Sequence, residues 1–204
     1  MSQPEVPSQS PDATSAGQVG RWLGEIDLDV EWRPGETDGR PGDDAAAVAA
    51  RRFRDVLGRF ASGVTVVTAI GADGPVGMTC QSFSSVSLDP PLVLFVPSRT
   101  SRAWPLIRRA GSFCVNVLAD GQAGVSDTMA GRGTDKFAGV DWTPSAVTGS
   151  PVLPGTLGHV DCTIHAVHES GDHDVVVGRV VDLEASDGDA GPLLFFRGRY
   201  RTTR

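Results

Sequence analysis

The feature that most constrains the fold is a succession of short apolar runs, separated by glycine and proline, beyond residue 62. The runs are rich in β-branched and aromatic side chains, which favour strands. They cover residues 63–70, 75–81, 86–88, 92–96, 112–118, 159–167, 175–183 and 193–200. Between them, 103–109 and 122–129 have helical patterns, and 139–154 is predicted to be irregular. Many strands with few helices predict a mainly β protein, an antiparallel barrel with covering helices.

The composition divides the chain at about residue 45. Residues 1–44 are rich in proline, glycine, serine and acidic side chains, which predicts a largely disordered N-terminal extension. Within it, 22–32 alternates apolar and acidic residues, so it either docks on the domain or a second subunit or stays an acidic tail. Residues 45–204 are long enough for one domain with a sizeable core. This domain opens with an amphipathic helix over 45–60, predicted to pack on the barrel.

Charge and cysteine content exclude several classes of protein. The formal net charge of −7 disfavours nucleic acid and anionic membranes as partners. No apolar run reaches the length of a membrane helix, and the first residues lack the pattern of a secretory signal. Three cysteines without CxxC spacing argue against a disulfide framework and a cysteine zinc site. We therefore expect a soluble protein of the reducing cytoplasm.

A run of short polar side chains in the stretch 77–101 predicts a ligand cradle. It lies between two strand-like segments and consists of Thr79, Cys80, Gln81 and Ser82. Such residues offer hydrogen bonds at short reach to a flat polar ligand. The stretch runs on into 97–102, where hydroxyl groups beside Arg99 and Arg102 precede a helix and suit a phosphate. A ring-plus-phosphate ligand is one interpretation, and a hairpin followed by an ordinary helix cap is the other.

Other arrangements that carry chemistry are poorly supported. The four histidines lie close together in the sequence, at His159, His165, His168 and His173. On a strand His159 and His165 share a face that His168 does not, and no spacing matches a zinc pattern, so we predict no metal site. Cys80 has no histidine near it in sequence to activate it as a nucleophile. Without a Rossmann or Walker motif, a pyridine nucleotide would have to bind without a dedicated domain.

Between residues 53 and 200 the chain carries a fixed order of short motifs. They are FASGVTVVTA at 60–69, GMTCQSFSSVSLDPPLV at 77–93, SFCVNVL at 112–118, DKF at 135–137, GDH at 171–173 and PLLFF at 192–196, followed by Tyr200. In this order they resemble the flavin reductase-like family, the short reductases that supply reduced flavin to two-component monooxygenases. The resemblance leaves out the first fifty or so residues.

The resemblance implies a fold and an activity. The fold would be the FMN-binding split barrel, an antiparallel split β-barrel of Greek-key type, in a homodimer with flavin near the subunit interface. The activity would be hydride transfer from NADH or NADPH to N5 of FMN or FAD, with the reduced flavin passing to a partner monooxygenase. The protein then mainly has to stack two rings and exclude water. A flavin carrier, or a self-contained flavin-dependent oxygenase or oxidase, remains an alternative on the same barrel.

The resemblance also implies site residues. The flavin cradle would be Thr79, Cys80, Gln81 and Ser82, and the phosphate would lie near Ser98, Thr100 and Ser101. Lys136 and Phe137 would lie beside the cofactor, and Tyr200 would cover it. His173 would be the catalytic residue, at the nicotinamide. Cys80 and Gln81 stand where the family usually has alanine, valine, serine or asparagine. Taken alone, His173 reads as a solvated turn residue and Lys136, the only lysine, as a solvated loop residue.

Overall fold

Three helices and twelve strands make up the part of the chain that our computed structural model describes, residues 44–133 and 135–203. The helices are α1 (Asp44–Leu57), α2 (Trp104–Ala110) and α3 (Ala123–Ala130). The strands are β1 (Ser62–Gly63), β2 (Thr65–Gly71), β3 (Gly74–Cys80), β4 (Ser84–Leu88), β5 (Pro91–Phe95), β6 (Ser112–Val117), β7 (Thr143–Pro144), β8 (Pro151–Val152), β9 (Gly158–Ser170), β10 (His173–Ala185), β11 (Leu194–Phe196) and β12 (Arg199–Arg201). The predicted extension and the segment 22–32 lie outside the described residues.

Seven of the strands form one antiparallel sheet in the order β3-β2-β6-β9-β10-β5-β4. Strand β2, which lies between β3 and β6, is buried on both faces from Thr65 to Ala69, as its almost continuous apolar sequence requires. On β10, Gly178 has no side chain because a Cβ there would lie 2.4 Å from Cζ of Phe113. Phe113 therefore packs against the backbone of a strand two places away in the sheet.

A second, smaller sheet of β1, β11 and β12 lies beside the large one. Backbone bonds join Val64, Leu118 and Leu193 across the two: Val64 N to Leu193 O, Leu118 N to Val64 O and Leu193 N to Leu118 O, each 3.0–3.1 Å. Two apolar cores result, one around Phe95, Phe113 and Ile107, the other around Leu118, Met129 and Leu193. The predicted class, mainly β with antiparallel sheets, is confirmed, and the two cores agree with a split barrel.

The predicted strand 193–200 is wrong as a single element. It is a hairpin of two three-residue strands, β11 and β12. Arg197 and Gly198 form its turn with φ of 50° and 73°, the left-handed pairing that a two-residue hairpin needs. Arginine is an unusual residue for that conformation, so the turn gave no sequence signal. The segment 139–154 is irregular as expected, apart from the short pair β7 and β8.

Helix α1 forms where it was predicted, but the expectation that it packs on the barrel is wrong. Its apolar side chains, and that of Phe60 just after it, are 54–79% exposed: Val48, Phe53, Val56, Leu57 and Phe60. Helices α2 and α3 already pack against β2 and β3, one in each of the two cores. In the described chain no helix is long and apolar enough to cross a membrane.

Candidate functional site

The cradle residues lie at the end of β3 and just after it: Thr79 and Cys80 are the last two residues of the strand, and Gln81 and Ser82 follow. Thr65 Oγ1 donates to the carbonyl of Cys80 at 2.9 Å and fixes the strand end. Cys80 is only 6% exposed and belongs to the first core, so it offers a ligand its backbone rather than its thiol. Gln81 is exposed, with Oε1 3.4 Å from Oγ of Ser62. The two departures from the family pattern thus differ: one side chain faces inward and the other outward.

Ser82 joins the cradle to the strand that leads to the predicted phosphate loop. Its hydroxyl accepts a hydrogen bond from the backbone N–H of Val96 at 2.8 Å and lies 3.1 Å from Sγ of Cys80. Val96 directly precedes the segment 97–101, so the cradle and that segment are neighbours. The structure therefore brings together two groups that the sequence placed fifteen residues apart.

The segment 97–101, called the hydroxyl loop below, carries three hydroxyl groups, two of which lie close together. Ser98 Oγ lies 2.9 Å from Thr100 Oγ1, and the backbone N–H of Ser101 donates to the Ser98 carbonyl at 3.0 Å. Ser101 Oγ accepts from the N–H of Trp104 at 3.3 Å and lies 3.9 Å from Sδ of Met78 on β3. The loop is thus fixed against both α2 and the cradle strand. Neutral hydroxyls in a fixed loop suit a phosphate ester.

His173 lies beside the hydroxyl loop. It forms an antiparallel bridge with Ser98, and the flanking residues complete a short ladder: Arg99 N to Asp172 O at 2.9 Å and Asp174 N to Pro97 O at 3.0 Å. The His173 side chain is one-third exposed, and its Nδ1 lies 2.7 Å from Oδ1 of Asp172. A carboxylate at that distance keeps the ring proton on Nδ1 and leaves Nε2 free to meet a ligand.

Lys136 and Phe137 have their polar and apolar contacts within the protein. The amine of Lys136 donates to the carbonyls of Met129 at 2.7 Å and Gly77 at 3.2 Å, and burial lowers its pKa from the ordinary value. Phe137 is 9% exposed in the second core. A Cβ on Gly77 would lie 3.0 Å from Sδ of Met129 and 3.3 Å from Cε2 of Phe137, so these three residues are closely packed. Lys136 therefore ties the end of α3 to β3, two residues before Thr79.

Tyr200 reaches the cradle through α3. Its hydroxyl donates to Oδ1 of Asp127 at 2.8 Å and lies 2.9 Å from Oγ of Ser126. Thr79 Oγ1 donates to the carbonyl of the same Ser126. Burial, followed by the Asp127 carboxylate, raises the pKa of Tyr200, although its bond to Ser126 opposes this. The ring packs edge-on against Phe195, with centroids 5.5 Å apart.

Three residues near His173 escaped the sequence interpretation as site residues. Asp172 contacts the imidazole, Asp174 is buried at the start of β10, and the indole N–H of Trp104 donates to Asp174 Oδ2 at 2.7 Å. An acid opening the apolar run of β10 was a signal for the last pair, because a charge there needs a buried partner. Within 44–133 and 135–203, no three histidine, cysteine or acidic side chains lie close enough to hold a metal ion.

Comparisons with known proteins agree on one family. A family model described as "Flavin reductase like domain" matches residues 57–204. The chain is 53% identical over 156 residues to the flavin-dependent monooxygenase reductase subunit HsaB of Rhodococcus jostii, covering 76% of this chain and 79% of that protein. It is 44% identical to the FMN reductase (NADH) SmoA of Agrobacterium fabrum, covering 74% and 84%. The solved structure of nitrilotriacetate monooxygenase component B from Mycobacterium thermoresistibile superposes with a TM-score of 0.75 at 50% identity, covering 78% and 88%.

Proposed function

Because the chain belongs to the flavin reductase-like family, we propose that it takes a hydride from NADH, reduces FMN or FAD at N5 and releases the reduced flavin to a separate monooxygenase. Flavin reduction with NADH is the activity of the group, and this chain is an oxidoreductase of that kind. The relatives named as reductase subunits support a partner oxygenase. The redox chemistry is supplied by the flavin and the nicotinamide, and the chain's own residues bind and orient them.

The observation that carries the proposal is the ladder between 97–99 and 172–174. It puts the backbone of Ser98, whose hydroxyl lies beside that of Thr100, next to His173, while Ser82 bonds Val96, the residue just before the loop. A flavin with its ring on the cradle and its phosphate on the loop would then have one open side facing His173. That arrangement suits a nicotinamide stacked on the flavin, which hydride transfer requires.

Each polar group of this side has a distinct task in the proposal. The backbone of 79–82 and the amide of Gln81 bind the polar edge of the isoalloxazine. The hydroxyls of Ser98, Thr100 and Ser101 bind the phosphate. Nε2 of His173 binds the carboxamide of the nicotinamide, and Asp172 keeps the proton on Nδ1. No residue has to abstract a proton from carbon, which agrees with the neutral character of this donor set.

Lys136, Phe137 and Tyr200 remain part of the proposed flavin site, but as its support. The Lys136 amine, held on the Gly77 carbonyl, brings a positive charge close to the cradle, where the reduced ring gains negative charge. Phe137 packs behind Gly77, and Tyr200 holds Ser126, whose carbonyl binds Thr79. Substitution of any of the three therefore affects flavin binding indirectly, by displacing the backbone of β3.

We further propose that the protein is a homodimer. The support is the bare apolar face of α1, with Phe53, Val56 and Leu57 more than half exposed. At about 25 cal/mol per Å² of apolar area, covering such a face contributes several kcal/mol to association. Sedimentation analysis is expected to give a dimer for the wild type and monomer for a Phe53→Ser/Leu57→Ser variant. A monomeric wild type would refute the proposal.

A cytoplasmic location is proposed on the state of the cysteines. Cys80, Cys114 and Cys162 are all free thiols and all buried. Burial, helped by the charge of Asp161, raises the pKa of Cys162 to about 12, so this thiol is unreactive in the folded protein. A chain built on buried free thiols suits a reducing compartment.

Nicotinamide oxidation by the purified protein tests the function. We expect NADH oxidation to depend on added flavin, to saturate with it and to be faster with one of FMN and FAD; a parallel run with NADPH defines the donor. Flavin binding without oxidation of either nucleotide would favour the carrier alternative. Turnover with tightly retained flavin and no need of added flavin would favour a self-contained oxygenase or oxidase.

A further inference from the structure

Asp174 is a buried carboxylate with one oxygen left without a hydrogen bond. The residue is 3% exposed, and the indole N–H of Trp104 donates to its Oδ2 at 2.7 Å. Its Oδ1 is buried and has no hydrogen-bond partner. Burying a charge with incomplete bonding opposes folding. The position of the carboxylate therefore calls for a reason other than stability.

The side chain and backbone of Asp174 hold the hydroxyl loop at both ends. Its backbone N–H donates to the carbonyl of Pro97, the first residue of the loop, at 3.0 Å. Its carboxylate holds Trp104, the first residue of α2, just after the loop. Asp174 also directly follows His173, which bridges Ser98. One residue thus fixes the loop and the histidine relative to each other.

Two arginines balance the buried charge. Nε of Arg99 lies 3.9 Å from Oδ1 of Asp174, and a terminal nitrogen of Arg108 lies 4.0 Å from Oδ2. Both side chains are about half exposed, so water screens them and they hold the carboxylate loosely. Arg99 is also 3.4 Å from Glu169. The short bond from Trp104 is therefore the contact that sets the geometry of the carboxylate.

We propose that Asp174 is a positioning residue that couples the two ligands of the site. Asp174 fixes the hydroxyl loop against the turn 171–173. It thereby holds the phosphate end of the flavin and the nicotinamide in a fixed position relative to each other. The inference rests on the proposed function, because it assigns the flavin phosphate to the loop and the nicotinamide to His173. Without Asp174, phosphate-dependent flavin affinity and the KM for NADH should deteriorate together.

The test compares flavins with and without a phosphate in three variants. For Asp174→Ala we expect FMN and FAD to bind about tenfold more weakly, riboflavin to bind almost as in the wild type, and the KM for NADH to rise several-fold. Asp174→Asn should recover much of both losses, because its amide oxygen can still accept from the Trp104 indole. Trp104→Phe keeps an aromatic ring but removes the indole N–H, and it should show the same pattern as Asp174→Ala.

Asp161→Asn is the matched control. Asp161 is also fully buried and accepts from the Thr148 N–H at 2.9 Å, but it lies on β9, where its bonds go to Thr148 rather than to the hydroxyl loop. This variant should lower the melting temperature and leave the ratio of FMN to riboflavin affinity unchanged. The control thereby distinguishes a general loss of stability, which lowers only the melting temperature, from a displaced hydroxyl loop, which changes the affinity ratio.

Two results would overturn the inference. One is an unchanged ratio of FMN to riboflavin affinity, with an unchanged KM for NADH, in Asp174→Ala and Trp104→Phe; Trp104→Phe decides the matter if Asp174→Ala does not fold. The other is an equal loss of affinity for all three flavins, which is a purely structural effect. If the wild type oxidises no nicotinamide, the proposed function fails, while the affinity ratio still tests the coupling of Asp174 to the loop.

Discussion

The candidate site has two sides that differ in where their polar atoms point. The histidine side comprises the hydroxyl loop and residues 172–174, and it leaves Nε2 of His173 open to a ligand. The lysine side comprises Lys136, Phe137 and Tyr200, and its amine and phenol bind the protein itself. Both sides carry motifs of the same family. The difference teaches that motif residues can have two roles: some present a side chain to a ligand, and others support the strand on which the ligand would lie.

The largest effect should come from the histidine side. His173→Ala is expected to lower kcat/KM for NADH about 100-fold, because a nicotinamide misplaced by about 1 Å relative to the flavin loses a factor of that order in hydride transfer. Flavin affinity should change little, since the cradle and the hydroxyl loop are intact. Steady-state oxidation of NADH and a flavin titration measure the two quantities.

His168→Ala provides the matched control for that prediction. His168 lies on the same hairpin, opposite Val175, and is exposed. Its variant should keep wild-type kinetics. Equal losses in the two variants would mean that the hairpin, rather than the imidazole of His173, is what matters, and the two sides would then not differ in the way described.

The next effect concerns the stability of the lysine side. Lys136→Met removes the two hydrogen bonds to the Met129 and Gly77 carbonyls and should lower the free energy of unfolding by about 2 kcal/mol. Urea denaturation measures it. Arg102→Met is the comparison, since Arg102 is exposed and donates one bond to the Arg132 carbonyl; its cost should be about 0.5 kcal/mol or less. If Lys136→Met folds as stably as the wild type but loses flavin affinity, the lysine is a direct ligand.

Alkaline pH should affect two buried groups in opposite directions. The pKa of Cys162 is raised by burial, so above its ordinary value of 9.0 the folded state keeps a proton that the unfolded state loses. The free energy of unfolding should therefore fall by about 1.4 kcal/mol per pH unit from this thiol. The pKa of Lys136 is lowered by burial, so below 10.5 the unfolded state holds the extra proton and the contribution of this amine rises with pH.

Urea unfolding at pH 8, 9 and 10 separates these contributions. Cys162→Ala should lessen the fall of the free energy of unfolding between pH 9 and 10 without abolishing it, because burial also raises the pKa of Cys114. Lys136→Met should make the free energy of unfolding fall more steeply as pH approaches 10.5, because the contribution of the Lys136 amine, which rises with pH, has been removed. Identical slopes in the wild type and Cys162→Ala would show that the thiol does not govern the alkaline limit.

The smallest effect is expected at Tyr200. Tyr200→Phe keeps the ring on Phe195 but removes the hydroxyl that contacts Ser126 and Asp127, and it should cost about 1 kcal/mol of stability. Flavin affinity should stay within about twofold, since one hydroxyl acts there only through Ser126. A flavin titration with a thermal melt checks both. A large loss of affinity at unchanged stability would assign the hydroxyl to the ligand.

Local patterns sufficed to predict most of the fold, whereas the role of residues 79–82 as a flavin cradle stays a prediction. The strands appear where apolar β-branched residues cluster, and Ser82 lies beside Val96 because β4 and β5 between them form a hairpin. The direction of a side chain was beyond such patterns. DKF indicates nearness to the cofactor, yet whether Lys136 turns to a ligand or a carbonyl depends on where α3 ends. The bond from Trp104 to Asp174 spans seventy residues, and only the folded sheet creates it.

The proposed dimer through the bare face of α1 would make the stability of this protein depend on its concentration. If a second copy covers Phe53 and Leu57, folding and association form a single equilibrium, and dilution shifts it toward the unfolded chain. The melting temperature should then rise with protein concentration, and a stability measured at one dilution would not apply at another. In an assay, the most dilute enzyme would lose activity fastest on standing, through mass action rather than chemical damage.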